Sequence, residues 1–187
     1  MNAPVDIRGV ELRTARLLLR PWRPDDLEDF YTYARVDGVG QMAGWLPHKD
    51  REETQKILDL FISQHKTFAL EWQGRVVGSL GIEPYDEENY PELAPYQGRE
   101  LGYVLAKPCW GQGLMPEAVK EVIRYLFEMK KLDFLIAGHF ERNTRSGRVI
   151  EKCGFRPYKV LPYQTQYGTV ETSLESILWN PSRPGTI

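Results

Sequence analysis

The stretch from Arg99 to Phe127, "RELGYVLAKPCWGQGLMPEAVKEVIRYLF", limits the fold more than any other part of the chain. It opens with a strand-like run ending near Ala106. Gly111 and Gly113 then form a short turn, followed by helix-face spacing at Met115, Ala118, Val119, Val122, Ile123 and Leu126. Pro116 is tolerated only at an early helical position, so it marks the start of that helix. A strand, a glycine turn and a helix mouth make an anion site. Glycine lets a ligand approach the backbone, and the first helical N–H groups lack internal partners. An ordinary strand-to-helix turn has the same letters, and the glycines alone do not decide between the two. No Gly-Lys-Ser/Thr follows, which excludes the phosphate loop of nucleotide hydrolases. Four expected strands precede the turn, which argues against a dinucleotide fold.

The rest of the chain supplies the frame. "RLLLRPW" reads as a strand, and "DDLEDFYTYA" as a helix with acids in its first turn. "DREETQKILDLFISQHK" is a clearer helix, capped by Asp50, with Ile57, Leu58, Phe61 and Ile62 on one face. "TFALEWQGRVVGSLGIEP" reads as a hairpin turning at Gln73-Gly74. The acidic segment around Asp86, Glu87, Glu88 and Glu92 reads as a loop, either solvated or a lure for a cationic partner. "LDFLIAGHF" reads as a buried strand, "RSGRVIEKCGF" as a short helix stopped by Gly154, and "RPYKVL" and "TVETSLESILW" as late strands. In the last strand, alternation falls on Val170, Thr172 and Leu174. This order predicts an α/β (α+β) fold over residues 1–187: one domain, with a mixed twisted sheet of about seven strands and about four helices.

Bulk properties exclude several function classes. With 187 residues and a net charge of -2, the chain can bury a sizeable core and has no charge excess to bind nucleic acid. No apolar run reaches the ~18 residues of a membrane span, and the N-terminus lacks a signal-peptide core. Cys109 and Cys153 are too few for a disulfide framework, and the three histidines are scattered, so no metal site is expected. A soluble, cytoplasmic protein is the expectation.

"ELGYVLAKPCWGQGLMPEAV" followed by "HFERNTRSGRVIEKCGF", with the opening "LRTARLLLRPWRPDDLEDFY", the stretch "MAGWLP" and the ending "ESILW", resembles the GNAT superfamily of acyl-CoA N-acyltransferases. Within it, the chain is most similar to the branch containing ribosomal-protein alanine acetyltransferases (RimJ/RimL-like). The resemblance implies acetyl-CoA as cofactor, held at the pyrophosphate by backbone amides of Trp110, Gly111, Gln112, Gly113, Leu114 and Met115. Met115 replaces the small residue usual there, which implies a narrowed or bent loop. Tyr103, Val104 and Leu105 would line the pantetheine arm, and Asn143 matches the family Asn that contacts it. Basic residues of "GRVIEK" would face the adenosine end or solvent. Many members carry a Tyr seven residues after that Asn. Here the position is Ile150, which leaves Ser146 as the replacement acid or as a local helix-start hydroxyl.

The implied base is Glu100, whose alternative reading is a solvent-facing strand-end charge. Glu117 fits either a substrate amine or the helix dipole, and Cys109 reads as a bystander thiol. Trp45, Tyr163 and Tyr167 would face the acceptor. The implied activity is direct acetyl transfer to a primary amine, on a protein N-terminus or a small molecule. A non-catalytic acyl-CoA sensor and a longer-chain acyltransferase are the rivals. Dimers are common in this branch, so a homodimer is the assembly the resemblance suggests.

Overall fold

The structure is a computed structural model, and it describes residues 1–183; residues 184–187 lie outside the described residues. In chain order it contains β1 (Leu12–Arg13), β2 (Leu17–Pro21), α1 (Leu27–Ala34), α2 (Arg51–Gln64), β3 (Thr67–Trp72), β4 (Arg75–Glu83) and β5 (Gly98–Leu105). Then follow α3 (Leu114–Glu128), β6 (Phe134–Phe140), α4 (Thr144–Lys152), β7 (Arg156–Gln164) and β8 (Val170–Trp179). Among the described residues the strands form one eight-stranded sheet, ordered β1-β2-β3-β4-β5-β6-β8-β7. The eighth strand beyond the expected seven is the two-residue β1. It pairs with β2 and is too short to carry a periodic signal.

Local chemistry explains the elements. Asp50 caps α2 by accepting from the Glu53 amide at 2.9 Å, and the Glu53 carboxylate accepts from the Lys49 amide at 2.7 Å. Gln73 and Gly74 both have positive φ, the two-residue turn that matches strand twist between β3 and β4. Gly154, at φ 89°, ends α4. On α3, Ala118, Val119, Val122 and Leu126 are 0–1% exposed against the sheet.

Every ladder is antiparallel except β5–β6, where α3 makes the crossover. That pair is bonded only at Gly98–Phe134, Arg99–Leu135 and Glu100–Ile136. Beyond Glu100 the two strands part, although β5 runs on to Leu105 and β6 to Phe140. Residues opposite each other across a ladder share a face, so register assigns the faces. Glu83, Glu100 and Gly102 lie on one face, where Tyr33 of α1 meets Ser79. Leu101, Tyr103 and Leu105 lie on the other, where Tyr103 meets Ser146 of α4.

Two points that the sequence leaves open are decided here. Alternation in β8 does not mark a core face: Val170 is 65% exposed and Thr172 is exposed, while Ser173 and Glu175 are buried. The inward face of β8 borders a polar cleft, so burial there selects polar side chains. Nor is the acidic segment a free lure. Glu92 pairs with Lys159 at 2.8 Å, Glu87 accepts from the Asn2 amide, and Tyr85, Tyr90 and Leu93 pack into a second core with Phe134, Ile136 and Ile177.

One buried ion pair fixes α1 to the sheet. Arg20 of β2 forks onto both Asp26 carboxylate oxygens at 2.8 Å and donates to Glu71 of β3 at 2.8 Å. Arg20 and Asp26 are 4% and 6% exposed. Asp26→Ala would leave the buried guanidinium with Glu71 as its remaining carboxylate and two of its donors unpaired, and is expected to cost about 3 kcal/mol in urea unfolding.

Candidate active site

The parted strands open a cleft of about 830 Å³. It runs through the sheet and is walled on one face by α3 and α4, on the other by α2 and the segment around Trp45. The glycine turn lies at its α3 end. Gly111 and Gly113 have φ of 76° and 75°, a region that penalises any side chain with a Cβ. Among the described residues, the amides of Gly111, Gln112, Gly113, Leu114 and Met115 have no acceptor within the chain. Pro116 has no N–H to add. This run of free donors at a helix mouth suits a pyrophosphate, and the residues present fit one.

The turn is clamped from outside. Arg16, between β1 and β2, donates to the Gln112 carbonyl at 2.9 Å and from Nε to Glu117 at 2.7 Å. Glu117 also accepts from the Thr14 hydroxyl at 2.5 Å and the Arg16 amide at 2.8 Å. Those bonds hold its carboxyl below the ordinary value despite partial desolvation. Glu117 is therefore a tie between the helix and the sheet edge, with no part in the cleft. Trp110 closes the turn by donating to the Leu105 carbonyl at 2.7 Å. Met115 is 4% exposed in the main core, so its bulk is absorbed there and does not narrow the loop. Cys109 is buried, and burial pushes its thiol up, which makes it a poor nucleophile.

On α4, Asn143 acts as the cap. Its Oδ1 accepts from the Ser146 amide at 3.3 Å, and its Nδ2 donates to the Met42 carbonyl at 3.2 Å. The Ser146 hydroxyl lies 2.8 Å from the Tyr103 hydroxyl, directly at the gap. Burial raises the Tyr103 phenol, keeping it protonated at neutral pH. Ile150 is 4% exposed and belongs to the core. Arg145, Arg148 and Lys152 follow at helical spacing on the cleft side, and Arg145 stacks on Trp110 at 4.8 Å.

The opposite side of the cleft carries carboxylates. Glu83, Glu100 and Glu175 line it, and Glu53 stands on α2. Among the described residues, no Lys or Arg lines the cleft outside α4. Glu83 pairs with Lys66, whereas Glu100 and Glu175 have no ion-pair partner among the described residues. Burial, and then the charges on Glu175, Glu83 and Asp86, raise the Glu100 carboxyl to about 8.

The cleft thus brings together Glu100, Tyr103, Val104, Leu105, Trp110, Gly111, Gly113, Leu114, Met115, Asn143, Ser146, Trp45 and Tyr163. Two expectations differ. The Trp110 amide donates to the Lys107 carbonyl at 3.1 Å and is not among the free donors, and Tyr167 falls outside the cleft, leaning on the Gln41 carbonyl. The Gln112 side chain turns back to the Pro108 carbonyl while its amide stays free. Two residues that sequence reasoning missed stand out. Glu175 hides in the polar half of an alternating strand, and Arg16 lies almost a hundred residues from the turn it holds. A charged residue within a buried-strand pattern was the available signal for Glu175; Arg16 carried none.

Two outcomes follow from this geometry. Arg16→Ala is expected to weaken coenzyme A binding by about 10-fold in calorimetric titration, as the turn loosens. Glu100 titrates near 4.5 when unfolded and about 8 when folded, so the folded state binds more protons in between. Its contribution is complete below about 4.5 and is lost as pH rises through about 8. Glu100→Gln should flatten that decline by at least about 1.4 kcal/mol, one pKa unit's worth, in urea unfolding at pH 5 against pH 9.

Comparison with known proteins agrees with this geometry. Residues 16–156 match the family model described as acetyltransferase (GNAT) domain. The chain is 30% identical over 176 residues to the uncharacterized N-acetyltransferase YoaA of Bacillus subtilis (strain 168), covering 89% of this chain and 96% of that one. It is 30% identical over 89 residues to the ribosomal protein uS5 alanine N-acetyltransferase of Escherichia coli (strain K12), covering 44% of this chain and 45% of the other. The fold superposes with TM-score 0.75 on RimL, the ribosomal L7/L12 α-N-protein acetyltransferase solved with coenzyme A, at 14% identity over 93% of this chain and 100% of that one. A glycine turn with free amides, a split sheet and a matching family model over most of its length place the chain in the GNAT acetyltransferase family.

Proposed function

We propose that the chain transfers an acetyl group from acetyl-CoA to a primary amine by direct attack, with a protein N-terminal α-amine as first acceptor class and a small-molecule amine as second. The observation that carries this reading is the charge division of one continuous cleft. Free amides, Arg145, Arg148 and Lys152 stand at one end, and unpaired carboxylates at the other. A polyanionic donor and a cationic acceptor are thereby drawn to opposite faces of the same gap.

The donor supplies a thioester carbonyl, and the chain does the rest. The free amides of the Gly111 turn seat the pyrophosphate, and the α4 cations neutralise the remaining phosphate charge. Tyr103, Val104 and Leu105 line the passage to the gap. Glu100 accepts one proton from the acceptor ammonium. The freed nitrogen forms a bond to the carbonyl carbon and the C–S bond breaks. Ser146, hydrogen-bonded to Tyr103, gives the departing sulfur a proton and regains one from the acylated nitrogen. The proton on Glu100 goes to solvent, so the net reaction releases one proton.

The Glu100 value of about 8 suits an acceptor whose ammonium titrates nearby. A peptide α-amine, at about 7.7–8.0, exchanges a proton with it almost evenly, whereas a lysine amine at about 10.4 does so at a cost. Trp45 and Tyr163 offer aromatic faces beside the acceptor.

The test is thiol release and product mass for acetyl-CoA against a panel of peptides and small amines, with propionyl- and succinyl-CoA in parallel. The expected result is acetylated peptide. Ser146→Ala and Glu100→Gln should each lower kcat by about 10²-fold while leaving coenzyme A affinity unchanged. Tight coenzyme A binding with no turnover on any amine would instead support the sensor reading, and preference for a longer acyl group would replace acetyl.

A further inference from the structure

We infer that Glu175 is the second carboxylate of the acceptor seat, and that with Glu100 it restricts acceptors to amines with no carboxylate beside the nitrogen. This rests on the acyl-transfer reading above and names the acceptor chemistry of the same site. Glu175 is 8% exposed and lines the cleft. Register places it on the same sheet face as Glu100: Glu100 lies opposite Ile136, and Glu175 opposite Gly138, two residues further along β6. The intervening position is kept bare. A Cβ on Gly138 would stand 2.5 Å from Glu175 Oε1, so the glycine makes room for the carboxylate over the strand.

A carboxylate buried to this degree needs a counter-charge. Among the described residues none is paired with it. Ser173 donates to Oε1 at 2.6 Å and the Tyr90 hydroxyl stands beside it, but these are neutral donors. Around the pair, Glu83 faces from β4, Asp86 and Tyr90 from the following loop and Tyr163 from β7, while His139 of β6 points to the other face, against Gly147 of α4. Glu83 is already matched by Lys66. The missing positive charge is that of the bound ammonium. A free amino acid would bring its own carboxylate into the same space, against Glu175 and, once ionised, Glu100, and among the described residues no Lys or Arg lines this side of the cleft to receive it. A peptide N-terminus or an alkylamine brings the cation alone.

Alanine and alaninamide test this feature: one carries the carboxylate and the other a neutral amide, and the more basic amine of alanine is common to wild type and variant, so the change in their ratio is the readout. The wild-type chain is expected to favour alaninamide in kcat/KM by at least about 100-fold. Glu175→Gln should raise the alaninamide KM by about 10-fold, narrow the preference by at least about 10-fold, and leave the acetyl-CoA KM unchanged. Removing the neighbouring charge should also move the Glu100 titration, read by carboxyl carbon NMR, to lower pH by about one unit. Glu175→Asp, which restores the charge, should return it most of the way. An unshifted Glu100 titration, or an unchanged alanine-to-alaninamide ratio, overturns the inference. If no amine of the wider panel is acetylated, the acyl-transfer reading falls, and the NMR titration still decides whether the two carboxylates form a pair. Should Glu175→Gln fail to fold, Gly138→Ala displaces the same carboxylate and carries the same expectations.

Discussion

The parting of β5 from β6 after Glu100 is the constraint on which the rest depends. Three residue pairs hold the strands together, and the sheet then opens. Each strand leaves its unpaired edge facing the gap, which is costly unless something supplies hydrogen bonds. An extended, amide-bearing ligand arm running between them would meet that need. The gap also lets one cleft touch both faces of the sheet, so groups at odd and even positions of β5 act on the same space from opposite sides. Glu100 and Tyr103 are three residues apart and point to opposite faces, yet both line it.

Charge division follows from this geometry. The α3 mouth and the α4 cations occupy one face, the glutamates the other. Had both sets shared a face, they would have paired and cancelled. The sheet keeps them apart, and each set stays available for a ligand of opposite sign. Burial then sharpens the contrast, because charges in a desolvated cleft act more strongly than on an open surface. The raised Glu100 carboxyl is one consequence.

The glycine turn depends on support that lies elsewhere. Its left-handed glycines give access but no rigidity, and its amides cannot brace one another. Rigidity comes from Arg16 and Glu117 on the outside and from Leu114 and Met115 in the core. A loop that binds phosphate through bare backbone must be held by bonds to groups other than the amides it offers.

The elements were legible in the sequence because their signals are local. The caps at Asp50 and Gly154, the Gln73-Gly74 turn and the periodicity of α3 each sit within a few residues, and the resemblance to GNAT proteins rested on such runs. So did most of the cleft-lining residues, since Glu100, the Trp110 turn and Asn143 belong to those motifs. Tertiary structure alone decided the pairings: Arg16 with Gln112, Tyr103 with Ser146, Glu175 over Gly138, and the retreat of Tyr167 to Gln41. It also decided the inside of β8, because alternation shows that a strand has two faces but not which one borders the cleft. Local sequence sets backbone conformation through sterics and short-range hydrogen bonds. Which side chains share a space depends on register between strands distant in the chain, and no local pattern encodes that.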